Sequence, residues 1–165
     1  MMKQDTISDD IATPIMALDL GQKRVGVALS DSLSISVRRL DPLKRSNWKR
    51  LLSEVTTLIR RFDAKTLVIG LPLSLDGTIG PAAAEAERIA KNFVRSLRIP
   101  IFLQDERLTS VQAQANLRNE GWDQGQISSL LDSESAAVIL RDFISGAQAR
   151  LLVSVDIEET QKETR

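Results

Sequence analysis

Residues 16–31, MALDLGQKRVGVALSD, place an acidic side chain inside an apolar hairpin. The apolar residues on either side of the turn GQKR predict two paired strands, and Gly26 marks a close approach of another backbone. Burying a carboxylate in such a run costs several kcal/mol unless a cation or a proton neutralises it. Asp19 is therefore the first candidate functional residue. Its structural alternative is a strand-end aspartate paired with Lys23 or Arg24.

The composition restricts the chemistry available to the chain. Among its 165 residues there is no His, Cys or Tyr. Ser-His-Asp and Cys-His nucleophiles, Cys/His zinc sites and disulfides are therefore excluded. Acid–base or metal chemistry must use Asp and Glu, whose oxygens suit Mg²⁺ or Mn²⁺. The lack of cysteine fits a cytoplasmic location, and no apolar run reaches the ~18 residues of a membrane span, so no membrane association is expected.

Hydrophobic periodicity predicts one α/β domain over residues 15–150. Residues 1–14 are expected to form a flexible N-terminal extension, and residues 151–165 a charged C-terminal tail. After the hairpin, the pattern predicts a strand at 34–43, a helix at 47–62, a buried strand at 66–70 and a loop at 71–80. A helix is predicted from Pro81, followed by a strand at 101–104. The next helix is predicted to be capped by Thr109 or Ser110 and stopped by Gly121, and the last helix to begin at Asp132.

Basic residues are concentrated in one part of a chain whose formal net charge is zero. Between residues 38 and 61 they exceed acidic residues by six. Such a segment can follow the phosphates of a nucleic acid, although a solvated helix face explains it more simply. The candidate substrate-binding residues are Arg45, Lys49 and Arg50, together with Lys23, which the hairpin turn is predicted to place near Asp19.

Two further carboxylates stand at positions where sites are commonly built. Glu106 follows the predicted strand 101–104, at the end where α/β sheets bind their ligands. Asp132 precedes an apolar helix, so helix capping is its competing role. Asp105 alternates with Glu106 across the strand end, so at most one of the two faces the site. Asp19, Glu106 and Asp132 together match the carboxylate set that two-metal phosphodiester cleavage requires.

Four blocks carry a family resemblance: ALDLGQKRVGVALSD, LVIGLPLSLDGT, DERLTS and LDSESAAVIL. In this order they resemble the YqgF family of pre-16S rRNA nucleases, which are also described as Holliday-junction-resolvase-like. The resemblance implies an RNase H-like fold, with a central mixed five-stranded sheet flanked by helices. It also implies that Asp19, Glu106 and Asp132 are the catalytic residues and hold Mg²⁺ or Mn²⁺.

The sequence thus predicts a metal-dependent endonuclease that processes the 5′ end of pre-16S rRNA during ribosome biogenesis. A Holliday-junction-type DNA nuclease remains open, so the partner is precursor rRNA or branched DNA. A non-catalytic RNA-binding protein of ribosome assembly is a further alternative. An ATPase related to actin and sugar kinases would also use a DLGxKxxG-like hairpin. However, this chain has a single such hairpin and is too short for two such domains.

Overall fold

The computed structural model describes residues 11–146 and 150–154. Ten elements occur in chain order: β1 (Ile15–Leu20), β2 (Arg24–Ser30), β3 (Val37–Lys44), α1 (Trp48–Phe62), β4 (Thr66–Leu71), α2 (Pro81–Ser96), β5 (Ile101–Asp105), α3 (Thr109–Asn119), α4 (Gln124–Ser145) and β6 (Arg150–Leu152). Within the described residues, no helix is both long and apolar enough to cross a membrane.

The six strands form one mixed sheet in the order β3-β2-β1-β4-β5-β6. β1 is antiparallel to β2, and this pairing places Asp19 opposite Gly26. β4 and β5 run parallel to β1, so the carboxyl ends of these three strands lie at one edge of the sheet. That edge is where parallel α/β sheets form their ligand sites.

Side chains alternate between two separate cores along β1. Met16 and Leu18 belong to the core that α1 and α2 cover, together with Leu51 and Phe93. The other face is covered by α4. Its core contains Ile15, Ala17, Val68, Phe102, Ala136, Ala137, Leu140 and Phe143. By the same alternation, Asp19 projects toward the α4 side.

The predicted helices and central strands are confirmed where their local signals are strong. α1 begins after Asn47, whose side chain accepts from the backbone N–H of Arg50 at 2.9 Å. α2 begins at Pro81, which needs no backbone donor in the first turn. For α3, Leu108 in the left-handed region is the cap rather than Thr109, which is the first helical residue.

The predicted count of five strands was wrong, because a sixth strand borders the sheet. β6 pairs antiparallel with β5, and Val153 beyond it donates to the Ile101 carbonyl at 2.9 Å. A strand of three residues is too short to show a period-2 pattern. The sheet therefore continues past residue 150. Most of the predicted N-terminal extension (residues 1–10) and of the predicted C-terminal tail (residues 155–165) lies outside the described residues.

The predicted start of the last helix at Asp132 was also wrong. α4 begins at Gln124, and its N-cap is Asp123. Asp123 and Gln126 form a capping box, in which each side chain accepts from the other residue's backbone N–H. Asp132 consequently lies inside the helix and its carboxylate does not cap it. The structural explanation that competed with a functional role for Asp132 is thereby removed.

Candidate active site

The three candidate carboxylates come from three separate elements and meet at one edge of the sheet. Asp19 lies near the end of β1, Glu106 directly follows β5, and Asp132 lies on α4. The Asp19 and Glu106 side chains are in hydrogen-bond contact, and Asp132 interacts electrostatically with Asp19. Residues far apart in sequence thus form one acidic cluster on the α4 side of the sheet.

Burial and mutual repulsion make this cluster costly to ionise. Burial, followed by the charge of Asp132, raises the pKa of Asp19 to about 6. Burial, followed by the charge of Asp19, raises the pKa of Glu106 to about 9. Carboxyl groups in contact cannot all carry charge unless a cation or a proton lies between them. The cluster therefore favours a bound cation or, without one, a shared proton.

This electrostatic arrangement predicts how stability depends on pH when metal is removed with EDTA. A carboxyl group whose folded pKa is raised contributes stability that is complete below its unfolded pKa and is lost as the pH rises through the folded pKa. For Glu106 that window extends from about 4.5 to about 9. We therefore expect Glu106→Gln to melt above the wild type at pH 8 and to lose this advantage near pH 4.

Thermal melts across this pH range provide the measurement, with Asp41→Asn, an exposed residue of β3, as the control for removing one carboxylate. A Glu106→Gln protein that melts below the wild type at pH 8 would show that the Glu106 carboxyl makes a stabilising polar contact instead.

Gly70 explains how Glu106 reaches Asp19 across an intervening strand. β4 lies between β1 and β5, so the Glu106 side chain must cross it. A Cβ atom at Gly70 would lie 2.6 Å from Glu106 Oε2 and 2.6 Å from Ile139 Cδ1. The absence of a side chain at Gly70 therefore provides the space in which the carboxyl group lies.

Gly26 performs a related role for Asp132. A Cβ atom at Gly26 would lie 1.9 Å from the Asp132 carbonyl oxygen and 2.3 Å from its carbonyl carbon. α4 can therefore lie on the hairpin at this distance only because residue 26 has no side chain. This confirms the close backbone approach that the sequence predicted for Gly26. Because Gly26 pairs with Asp19, the same contact places Asp132 over Asp19.

Two residues that sequence reasoning missed attach α4 to the sheet directly after Asp132. Ser133 Oγ donates to the Leu40 carbonyl at 2.7 Å. Glu134 is fully buried and pairs with Arg39 at 2.7 Å and with Arg141 at 3.0 Å. The bonds to Leu40 and Arg39 hold the helix against β3 next to Asp132, whereas the pair with Arg141 lies within α4. The sequence signal was weak, since both residues read as ordinary polar positions of a helix.

The two residues before Glu106 differ in whether their side chains have polar partners. Asp105 pairs with Arg107, whose Nη2 lies 2.7 Å from Asp105 Oδ2. This confirms that only one of the two adjacent acids faces the cluster. Gln104 is completely buried, and neither polar atom of its side chain has a hydrogen-bond partner in the described structure. It pairs in register with Gly70, so polar groups without partners lie next to the Glu106 carboxyl group.

The donor chemistry of the cluster fits a hard divalent cation, although the side chains do not enclose one point. Across residues 11–146 and 150–154, no three Asp, Glu, His or Cys side chains are arranged to hold a metal ion. Asp19 and Glu106 supply carboxyl groups whose pKa is raised, and Gln104 supplies a buried side-chain amide without a partner. Their oxygen atoms are ligands of the kind that Mg²⁺ and Mn²⁺ take.

Comparison with known proteins assigns the family. The model of the RuvX family, described as Holliday junction resolvase, matches residues 13–146. The chain belongs to this family. A protein of Anaeromyxobacter sp. (strain Fw109-5) named "Putative pre-16S rRNA nuclease" is 34% identical over 81% of this chain and 98% of its own length. A Syntrophomonas wolfei protein of the same name is 36% identical over 80% of this chain and 94% of its own.

Solved structures confirm the predicted RNase H-like fold. RuvC of T. thermophilus, in complex with a Holliday junction substrate, superposes with a TM-score of 0.52 at 14% identity, over 84% of this chain and 98% of its own. The Fowlpox virus resolvase, in complex with Holliday junction DNA, gives a TM-score of 0.52 at 12% identity, over 82% and 99%. The resemblance derived from the four sequence blocks is thus confirmed at the level of family and fold.

The four predicted substrate-binding residues lie in different local surroundings. Lys23 is exposed on the turn after β1, and Lys49 is exposed at the start of α1. Arg50 pairs with Glu54 one helical turn away at 3.1 Å. Arg45 lines a cleft on the α2 side of β1, and its backbone N–H donates to the Lys23 carbonyl at 2.9 Å. A role in substrate binding therefore remains a prediction for all four residues.

Three other cations of the basic segment, Arg38, Arg39 and Arg61, have structural partners. The Arg38 and Arg61 guanidinium groups lie 5.0 and 5.1 Å from the centre of the Phe62 ring. Arg39 pairs with Glu120 and with the buried Glu134. These three cations are consequently engaged in packing and ion pairs, and two of them, Arg38 and Arg39, lie on β3 rather than on a helix face.

Proposed function

We propose that this protein is an endonuclease that hydrolyses phosphodiester bonds at the 5′ end of the precursor of 16S rRNA. The observation that carries the proposal is the convergence of Asp19, Glu106 and Asp132 at the carboxyl edge of an RNase H-like sheet. Supporting it, curated relatives at 34% and 36% identity are named for this substrate. Such a substrate would place the activity in the cytoplasm, in the course of ribosome biogenesis.

The three carboxylates would be the catalytic residues and would hold Mg²⁺ or Mn²⁺. When bound, these cations supply activation of water and stabilisation of the leaving oxygen. Asp19 and Glu106 would give up the proton they share without metal, and Asp132 on α4 would be the third ligand. Gly26 and Gly70 would keep the three groups close together by admitting α4 and the Glu106 carboxyl group.

Basic side chains beside the cluster would orient the nucleic acid. Lys23 on the hairpin turn, Arg45 after β3, and Lys49 and Arg50 on α1 would contact backbone phosphates. Phosphate contacts of this kind position a substrate without reading its sequence. The choice of cleavage site would therefore depend on the shape of the precursor RNA.

A DNA resolvase is the second candidate function. The description of the family as Holliday junction resolvase and the fold shared with two junction-bound resolvases favour it. Identities of 14% and 12% to these structures support the fold alone, whereas the relatives named for pre-16S rRNA are much more similar in sequence. We therefore rank RNA above branched DNA.

The test is cleavage by the purified full chain of an RNA carrying the 5′ precursor of 16S rRNA and of a four-way DNA junction. We expect RNA cleavage with Mg²⁺ or Mn²⁺ and none with EDTA. Asp19→Asn protein, purified in the same way, controls for contaminating nucleases. Cleavage of the junction but not of the RNA would favour the resolvase. RNA binding with no cleavage of either substrate would instead indicate a non-catalytic assembly protein.

A further inference from the structure

A cleft of about 560 Å³ opens beside the carboxylates, on the α2 side of β1. Its walls are partly apolar, with Leu20, Pro72 and Pro81, and partly polar, with Arg45 and Glu85. The volume is within the range of small-molecule sites, roughly 300–1,000 Å³. The cleft therefore has room for one nucleotide, with apolar surface for its base or sugar.

The cleft and the acidic cluster are separated by a single segment of backbone. Leu20 and Gly21 line the cleft directly after Asp19. On the other side of this segment, a Cβ atom at Gly21 would lie 3.5 Å from Asp132 Oδ1. A nucleic-acid strand that passes over the carboxyl edge of the sheet would therefore meet both places in succession.

Arg45 holds a guanidinium group inside this cleft. Its backbone N–H donates to the Lys23 carbonyl at 2.9 Å, which anchors the residue to the hairpin turn. Its Nη1 donates to the Gly21 carbonyl at 2.9 Å, and its Nη2 donates to the Glu85 carboxylate on α2. A guanidinium is planar and suits phosphate and carboxylate oxygens equally well. The backbone of Arg45 is therefore fixed to the hairpin turn, and its guanidinium group is paired with the carboxylate of Glu85.

The partner of Arg45 can be displaced without becoming an isolated charge. The Glu85 side chain is 45% exposed, so its separation from Arg45 would not leave it buried. Arg88, one turn further along α2, has its Nη2 3.8 Å from Glu85 Oε1. Glu85 can thus keep a cationic neighbour after it leaves Arg45. The pair is partly solvated, with Arg45 20% and Glu85 45% exposed, so a ligand anion of matching geometry can replace the carboxylate.

We propose that this cleft binds the nucleotide next to the scissile bond, and that its backbone phosphate displaces Glu85 from Arg45. The inference rests on the proposed nuclease function and adds to it a subsite and a residue that lowers affinity. Glu85 occupies the guanidinium as a phosphate would, so each binding event must break this internal pair. Nucleic acids that place no phosphate in the cleft gain nothing from Arg45, so Glu85 lowers the affinity only of strands that enter it.

The test measures binding rather than cleavage, in EDTA, with a fluorescently labelled single-stranded RNA over a range of KCl concentrations. We expect Glu85→Gln to bind about two- to fivefold more tightly than the wild type, the strength of one solvated ion pair, since the Glu85 carboxylate is 45% exposed. Its salt dependence should steepen by up to ~0.7 units, because Arg45 then releases a solution counterion instead of Glu85. Glu85→Ala should behave in the same way.

Matched variants separate this effect from a general change of charge. Glu87→Gln removes the same charge from α2 at a position that does not line the cleft, and we expect a smaller change in binding from it. On an Arg45→Gln background, Glu85→Gln should no longer tighten binding. Thermal melts of each variant check that it is folded.

The outcomes distinguish this inference from the proposed function. RNA binding by the wild type that Glu85→Gln leaves unchanged or weakens would overturn the subsite, while the nuclease proposal would stand. Equal tightening by Glu85→Gln and Glu87→Gln would show a non-specific charge effect and would also overturn it. Failure of every variant to bind RNA or four-way DNA would contradict the proposed function, and the inference with it.

Discussion

Asp19→Asn, Glu106→Gln and Asp132→Asn are each expected to lower the rate of RNA cleavage roughly 100-fold or more. Each substitution removes one carboxylate ligand of a bound cation, which supplies several kcal/mol of transition-state stabilisation. A loss of ~1.4 kcal/mol lowers a rate tenfold. Single-turnover cleavage with saturating enzyme measures the chemical step. Asp142→Asn, on the same helix as Asp132, provides a control that should retain wild-type activity.

Melting temperatures show whether such a loss comes from the site or from unfolding. Metal at ~100 times its dissociation constant should stabilise the wild type by about 2.7 kcal/mol, and Asp19→Asn should lose most of this gain. Without metal, Asp19→Asn should melt at or above the wild type, because it relieves repulsion within the cluster. If metal leaves the wild type unchanged while Asp19→Asn destabilises the metal-free protein, Asp19 is a structural residue and the nuclease proposal loses its central group.

Gly26→Ala is expected to destabilise the protein by about 3 kcal/mol or more and to abolish cleavage. Inserting a methyl group into a packed site costs ~1–3 kcal/mol when flexible side chains can adjust. Here the added Cβ would lie 1.9 Å from a backbone carbonyl oxygen of α4, and a backbone atom inside a helix cannot move alone. The whole helix must shift, and Asp132 moves with it. Urea denaturation and cleavage assays measure the two effects.

Gly125→Ala provides the matched control, because it adds the same methyl group to the first turn of α4. There the Cβ atom would be 3.4 Å from Asp123 Oδ1, an ordinary contact. Replacing a helical glycine by alanine should stabilise the protein by roughly 0.5–1 kcal/mol and leave cleavage unchanged. A Gly26→Ala protein with wild-type stability and activity would show that α4 does not depend on this close approach.

Local patterns predicted the elements that carry two of the three acids. The apolar runs around Asp19 could form only a buried hairpin, and the run before Glu106 only a short buried strand. The seven apolar residues of α1 lie on one helical stripe, which predicted that helix within a residue at either end. These predictions were accurate because each signal lies within one helix, one strand or one tight turn.

Prediction failed where a boundary depended on which of two similar signals the fold uses. Asp123 and Asp132 are both plausible N-caps, and Gln126 makes Asp123 part of a capping box. The polar residues between the two aspartates read as a loop, although they are helical. Burial of Ile127 and the packing of α3 on α4 stabilise this extra part of the helix. Neither contact is visible within a short window of sequence.

The sequence by itself determined the chemistry: without His, Cys or Tyr, a polar site in this chain must consist of carboxylates, amides, hydroxyls and cations. It also determined the hairpin that buries Asp19. Only the tertiary structure decided that the Glu106 side chain crosses β4 over Gly70. It also decided that α4 lies on Gly26, which places Asp132 over Asp19, and that the Glu85 carboxylate pairs with the Arg45 guanidinium. Propensity and periodicity act between near neighbours along the chain. These contacts instead join strands and helices that are distant in sequence, and they form only when the sheet and its helices pack together.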